Sequence, residues 1–69
     1  MSGASPEVVR AELSAAAEGV ERYRVRVAEL VVKFGADGDD GELVSAMWEA
    51  ERGLRAAQRL LARAEKLAR

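Results

Sequence analysis

Two long runs of apolar residues, spaced alternately by three and four positions, dominate the chain. The first run consists of Val9, Leu13, Ala16, Val20, Tyr23, Val27, Leu30 and Phe34. The second consists of Leu43, Met47, Ala50, Leu54, Ala57, Leu61, Ala64 and Ala68. This spacing is that of the a and d positions of a helical heptad, so each run predicts one long amphipathic helix.

Local signals bound the two helices. Ser5 before Pro6 is typical of an N-cap followed by the first helical position, and Gly35 is typical of a helix stop. Asp39 and Glu42 are spaced as in a capping box. The sequence therefore predicts a single domain with a frayed tail (1–5), helix 1 (6–34), an acidic glycine loop (35–39) and helix 2 (40–68).

Seams of similar length on both sides of a short loop predict an all-α fold, an antiparallel two-helix hairpin that resembles a coiled coil. Folding at the loop brings Phe34 against Leu43 and Val9 against Ala68. The β-branched residues of segment 25–32 also fit a strand. The helix is favoured, because the heptad pattern runs through this segment without a break.

Further apolar residues lie outside these seams. They are Val25, Ala28, Val32, Val44, Trp48, Leu60 and Leu67. One interpretation is that they are ordinary exposed residues, and the other is that they form a contact surface. We expect an interface, formed by two hairpins that dimerise into a four-helix bundle, with Trp48 as its anchor.

The size of the chain also favours association. A chain of 69 residues buries a modest core, and it has no cysteine for a disulfide. Without cysteine or histidine, a structural zinc site is excluded as well. We therefore expect a homo-oligomer, preferably a dimer, or a helical protein partner.

Charges are segregated along helix 2. Its first part is acidic and its last part is basic, as the helix dipole favours. The segregation also suits antiparallel association of two hairpins. The basic residues form a possible nucleic-acid surface, namely Arg52, Arg55, Arg59, Arg63 and Lys66. Nucleic acid is the less favoured partner, because the net charge is −1 and no reading motif is present.

Catalytic, cofactor and metal sites are not expected. No histidine or cysteine is available for a triad or a thiol nucleophile. The acidic loop fails the spacing of a calcium-binding EF-hand, since the sixth position from Asp37 is Glu42 rather than glycine. No apolar run reaches the roughly 20 residues of a membrane span, and no signal peptide is visible. We expect a cytoplasmic protein, and its richness in arginine and alanine is typical of GC-rich bacterial genomes.

The sequence thus favours a non-enzymatic protein–protein interaction module that acts as an adaptor, assembly factor or regulator. The alternative is a nucleic-acid-associated regulator that uses the basic half of helix 2. A small enzyme has no positive sequence feature in its favour.

Overall fold

The computed structural model describes residues 5–37 and 41–68. It contains two helices, α1 (Pro6–Asp37) and α2 (Gly41–Leu67), which pack against each other. The described ranges contain no strand, and segment 25–32 is helical. The all-helical fold and the two-helix hairpin are therefore confirmed.

The start of α1 is capped by Ser5. The Ser5 hydroxyl oxygen accepts a hydrogen bond from the Val8 amide at 3.2 Å, and the Ser5 carbonyl accepts one from the Val9 amide at 3.0 Å. Pro6 occupies the first helical position, where its missing N–H group leaves no hydrogen bond unmade. The prediction of a cap at Ser5 is confirmed.

The end of α1 differs from the prediction. The helix continues past Phe34 and through Gly35 to Asp37, so Gly35 does not stop it. Gly35 keeps a helical backbone, and a glycine that does so lowers helix stability without ending the helix. Lys33 consequently lies outside the last turn of α1, which has no basic residue. Of the predicted loop (35–39), residues 35–37 belong to α1. The rest of that loop, including the cap at Asp39, and the predicted first residue of helix 2, Asp40, lie outside the described residues.

The two helices run antiparallel. At the open end of the hairpin, Arg10 Nη1 donates a hydrogen bond to the Ala68 carbonyl oxygen at 2.9 Å. In the middle, Arg24 Nη1 donates to Glu51 Oε2 at 3.1 Å. The result is a rod of 54 × 20 × 14 Å. Its length matches the roughly 48 Å that a helix of 32 residues spans.

The seam, meaning the line of contact between the helices, is shifted from the predicted one. On α1 its residues are Leu13, Ala17, Val20, Arg24, Val27 and Val31. On α2 they are Val44, Met47, Glu51, Leu54, Gln58, Leu61, Glu65 and Ala68. Three predicted residues of α1, namely Leu13, Val20 and Val27, are confirmed in the seam. Ala57 and Ala64 of α2 are also half-buried, at the edge of the seam.

Several of the other residues predicted for the seam lie outside it. Ala16, Tyr23, Leu30 and Phe34 were expected in the seam, yet all are exposed. The seam residues Ala17, Arg24 and Val31 each follow one of the first three directly. On α2, Val44 and Glu51 take the places expected for Leu43 and Ala50. The apolar arc of α1 is wide enough for two seams one residue apart, and the occupied one includes an ion pair between the helices.

Candidate interaction surfaces

The hairpin leaves most of its large apolar side chains exposed. Among the described residues, Val31 is the buried apolar residue, with 2% of its surface accessible. Eleven large apolar residues are exposed: Val8, Val9, Tyr23, Val25, Leu30, Val32, Phe34, Leu43, Trp48, Leu60 and Leu67. Their arrangement on the rod decides what the surface can bind.

Helical geometry sorts these residues onto two sides of the hairpin. A residue that directly precedes a seam position is rotated by about 100° to one side of it, and one that follows is rotated to the other. Because the helices face each other and run in opposite directions, preceding residues of both helices lie on the same side. Tyr23 and Leu30 on α1 therefore share a side with Leu60 and Leu67 on α2.

We name this side the leucine face. Its large residues are Tyr23, Leu30, Phe34, Leu43, Leu60 and Leu67. Between them on α2 lie the small residues Ala46, Ala50, Gly53, Ala57 and Ala64. The α2 part is the more extended, because Leu60 and Leu67 expose 66% and 70% of their surface and no charged residue interrupts the line. It spans about 36 Å.

The opposite side is the tryptophan face, which we define by Val25, Val32 and Trp48. Val25 and Val32 line a surface groove on α1 together with Ala28. This apolar area covers the half of the hairpin nearest the loop. Farther along α2, arginine residues replace it, beginning with Arg52.

A network of charged side chains crosses the seam and continues onto the tryptophan face. Glu51 Oε2 accepts hydrogen bonds from Arg24 Nη1 at 3.1 Å and from Arg55 Nη2 at 2.7 Å. Arg24 also binds the Glu21 carboxylate in a bidentate manner, through Nε at 3.3 Å and Nη2 at 3.0 Å. Only 3% of the surface of Glu51 is accessible. Within the described ranges no buried polar side-chain atom is left without a hydrogen bond.

The network lowers the pKa of both of its carboxyl groups. The hydrogen bond from Arg55 lowers the pKa of Glu51, against an opposing contribution from desolvation. The hydrogen bond from Arg24 lowers the pKa of Glu21, and a hydrogen bond with Gln58 acts in the same direction. The hydrogen bonds of Arg24 to Glu21 and to Glu51 raise the pKa of Arg24. The network is therefore ionised at neutral pH, with carboxylates held against guanidinium groups.

Glu51 lies in the seam, although charged residues of an amphipathic helix ordinarily lie on its outer face. A signal for it exists in the sequence. If the seam of α1 is assigned to Arg24 instead of Tyr23, a basic residue enters the seam. At the same level of α2, the corresponding shift from Ala50 to Glu51 brings an acidic residue into it. Opposite charges at one level of two seams indicate a pair between the helices.

The residues of the possible basic surface are not equivalent. Arg52, Arg59, Arg63 and Lys66 are exposed, and within the described part of the chain they form no ion pair. Arg55 is exposed as well, but its guanidinium group is bound to Glu51. Any ligand of Arg55 would have to compete with that carboxylate.

The residues expected at an interface are divided between the two faces. Val25, Val32 and Trp48 lie on the tryptophan face, and Leu60 and Leu67 lie on the leucine face. Ala28 is half-buried next to the seam, and Val44 is half-buried within it. Tyr23, Leu30 and Phe34 also belong to the exposed surface. Sequence reasoning missed these three because it assigned them to the seam.

Comparisons with protein-family models, curated proteins and solved structures gave no match to this chain. Neither α1 nor α2, as far as the structure describes them, is long and apolar enough to cross a membrane.

Proposed function

We propose that this protein is a non-enzymatic protein–protein interaction module that self-associates or binds partner helices, acting as an adaptor, assembly factor or regulator. The observation that carries the proposal is the imbalance between one buried apolar residue, Val31, and eleven large exposed ones within the described ranges. Apolar burial is the main favourable contribution to folding, so a hairpin with this surface gains stability when another helical surface covers it.

The dimensions of the hairpin support the same conclusion. Its radius of gyration is 16.0 Å, whereas a compact domain of 69 residues has about 11 Å. Its accessible surface is 5230 Å², and a compact monomer of 7.4 kDa exposes about 4,200 Å². The excess of about 1,000 Å² is comparable to the roughly 800 Å² that each partner contributes to a standard interface.

A homodimer that forms a four-helix bundle is the simplest assembly of this kind. Each hairpin supplies two antiparallel helices, and a second hairpin supplies the two that complete the core. Closed two-fold dimers are the commonest oligomers of soluble proteins. The long uncharged line on α2 supports this assembly, because a flat apolar face about seven turns long fits another helix pair.

Sedimentation equilibrium across the micromolar range tests the self-associating form of the proposal. We expect the mass to rise from one chain to two as concentration increases, and the midpoint of thermal unfolding to rise with it. A folded monomer whose unfolding midpoint is the same at every concentration would contradict self-association. A pull-down that recovers one helical partner at equal stoichiometry would then support the partner-binding form.

A second candidate function is nucleic-acid association by a regulator. It is supported by the exposure of Arg52, Arg59, Arg63 and Lys66 along the C-terminal half of α2. Phosphate contacts by such residues weaken steeply with salt. The overall charge of −1 and the acidic first half of α2 make this the weaker candidate.

A mobility-shift titration at low salt tests this second function. The informative variant carries Arg52→Glu, Arg59→Glu and Lys66→Glu, which leaves the Arg55–Glu51 contact intact. If nucleic acid is a ligand, the wild type shifts the probe, and both added salt and the triple substitution abolish the shift. The absence of a shift at low salt would exclude it.

A further inference from the structure

We infer that the leucine face binds a second copy of this chain, with the two α2 helices antiparallel and a two-fold axis passing beside Ala56. The inference rests on the self-associating form of the proposed function and specifies its geometry. Three features of the described residues support it: the shape of the α2 line, the charges along its margin and the position of α1.

The α2 line of the leucine face is complementary in shape to the same line of a second copy that runs antiparallel to it. In an antiparallel pair centred at the level of Arg55, within one residue of Ala56, the line meets itself layer by layer. The opposed pairs are Leu43 with Leu67, Ala46 with Ala64, Ala50 with Leu60, and Gly53 with Ala57 of the second copy. Large residues therefore lie at the two ends, and the small residues Gly53 and Ala57 lie at the centre, where they let the helices approach closely.

The charges along the margin of this line are also complementary to those of an antiparallel second copy. Glu42, Glu49, Ala56 and Arg63 follow one another at intervals of seven residues on the side of α2 away from the seam. The antiparallel pairing places Glu49 next to Arg63 of the second copy, twice, with Ala56 next to its own symmetry mate. A parallel pairing would place Glu49 against Glu49 and Arg63 against Arg63, which is repulsive.

Within the described part of the chain, Glu49 and Arg63 are not held by another ion pair, although both are exposed on a helix rich in charges. Like charges at the same level of an interface suppress a wrong alignment, and opposite charges set the direction of the correct one. The margin therefore selects the antiparallel dimer with the loops at opposite ends.

The same axis also suits α1. Because Arg24 contacts Glu51 across the seam, the level of Ala56 on α2 corresponds to the region of Glu21 on α1. Rotation about an axis at that level brings the end of α1 that carries Leu30 and Phe34 against the end that carries Val9 of the second copy. The exposed apolar residues at the ends of α1 then face each other, but Glu12, Arg26 and Lys33 lie between them on the same side of α1. The uncharged part of the contact is therefore the α2 line.

The area of the face is sufficient for a stable dimer. The α2 line is about 36 Å long, and the hairpin is 20 Å wide. The leucine face therefore spans about 700 Å², close to the roughly 800 Å² per partner of a standard interface, and its α2 half is uncharged along its whole length. The tryptophan face offers less, because Glu21, Arg55 and Gln58 interrupt its apolar surface.

Charge reversal tests the geometry of the dimer. Glu49→Lys and Arg63→Glu, made singly, each turn two attractive contacts into repulsive ones, and we expect each to weaken dimerisation at least about tenfold. The double variant restores opposite charges and should recover most of the affinity. Glu18→Lys, an exposed charge far from the leucine face, is the matched control and should have no effect.

Cross-linking provides an independent test, since the chain contains no cysteine. Ala56→Cys lies beside the proposed axis, so a short bis-maleimide should link two copies efficiently. Glu42→Cys lies about 40 Å from its symmetry mate in this arrangement and should not be linked. Linking at Glu42→Cys but not at Ala56→Cys would overturn the inference.

The outcomes separate the inference from the proposed function. If the wild type dimerises but neither charge reversal weakens it, the leucine-face geometry is wrong and self-association remains. The same holds if Trp48→Ala abolishes the dimer while Leu60→Glu leaves it intact, because the tryptophan face would then be the interface. If the wild type stays monomeric at every concentration, self-association fails together with the inference.

Discussion

At the scale of single residues, Glu51 and Arg24 are the unusual pair of the hairpin. Both occupy seam positions at which two helices ordinarily pack apolar side chains. A buried ion pair often contributes little net stability, because desolvation offsets the attraction, but a single polar layer in a seam can fix the register of two helices. Here it favours the alignment in which Arg24 lies beside Glu51 over alignments shifted by one turn.

Removing one residue of the Arg24–Glu51 pair should therefore destabilise the hairpin more than replacing both residues. We expect Glu51→Ala to destabilise the hairpin, because the partly buried Arg24 loses its contact on α2, and Arg24→Leu with Glu51→Leu to recover stability. Urea unfolding of the variants measures this, with Glu12→Ala as a control at an exposed position. Equal stability of Glu51→Ala and wild type would argue against a structural role for the pair.

The network also makes stability depend on pH in the acid range. The pKa of Glu21 and of Glu51 lies below the ordinary value of 4.5 in the folded chain. At acidic pH the unfolded chain therefore binds more protons than the folded chain. The contribution of these two carboxylates to stability is fully present above about pH 4.5, and it is lost as acid protonates them in the folded chain. Thermal unfolding from pH 7 to pH 3 should show this decline.

The Glu51→Gln variant identifies the groups responsible. Removing one of the two perturbed carboxyls should make the acid-induced decline shallower than in the wild type. A decline of the same steepness in both proteins would assign the pH dependence to other carboxyl groups.

At the scale of the helices, the beginning of α1 and the pairing of the two helices could be predicted, and the exact seam could not. Ser5 and Pro6 carry local signals, and so the cap of α1 was found. The seam depends on both helices together: on α1 alone, Tyr23 and Leu30 are better seam candidates than Arg24. Arg24 becomes acceptable because Glu51 neutralises it from α2.

The cap of α1 makes a measurable contribution. Ser5→Ala removes the hydroxyl that accepts the Val8 amide hydrogen bond, and we expect it to cost about 1 kcal/mol of stability. Ser5→Asp keeps an acceptor and should be close to the wild type in chemical unfolding. A loss of the same size in both variants would show that the side-chain hydrogen bond is not the cause.

Gly53 separates the stability of the helix from the packing of the dimer. An added Cβ at Gly53 meets no atom within 4 Å in the hairpin, so Gly53→Ala should stabilise α2 by about 1 kcal/mol at concentrations where the chain is monomeric. In the proposed dimer the same methyl group lies against Ala57 of the second copy and should weaken association. Unfolding and sedimentation of one variant measure the two effects separately, and a variant that both folds and dimerises more tightly would contradict close packing at Gly53.

At the scale of the whole molecule, the hairpin is a thin rod with two unequal apolar sides. The sequence predicted that apolar surface remains after the helices pair, and five of the seven residues predicted for it are exposed, namely Val25, Val32, Trp48, Leu60 and Leu67. The sequence pattern did not predict that this surface is divided into a leucine face and a tryptophan face, because that division follows from the shifted seam. The tryptophan face ends at a charged network, whereas the leucine face continues along α2 without a charge.

We propose that this hairpin is half of a larger helical core. Sedimentation equilibrium of the unmodified chain, combined with thermal unfolding at the same concentrations, tests it most directly. We predict a mass of two chains at micromolar concentration and an unfolding midpoint that rises with concentration. A single 7.4 kDa species, stably folded and with an unfolding midpoint independent of concentration, would contradict it.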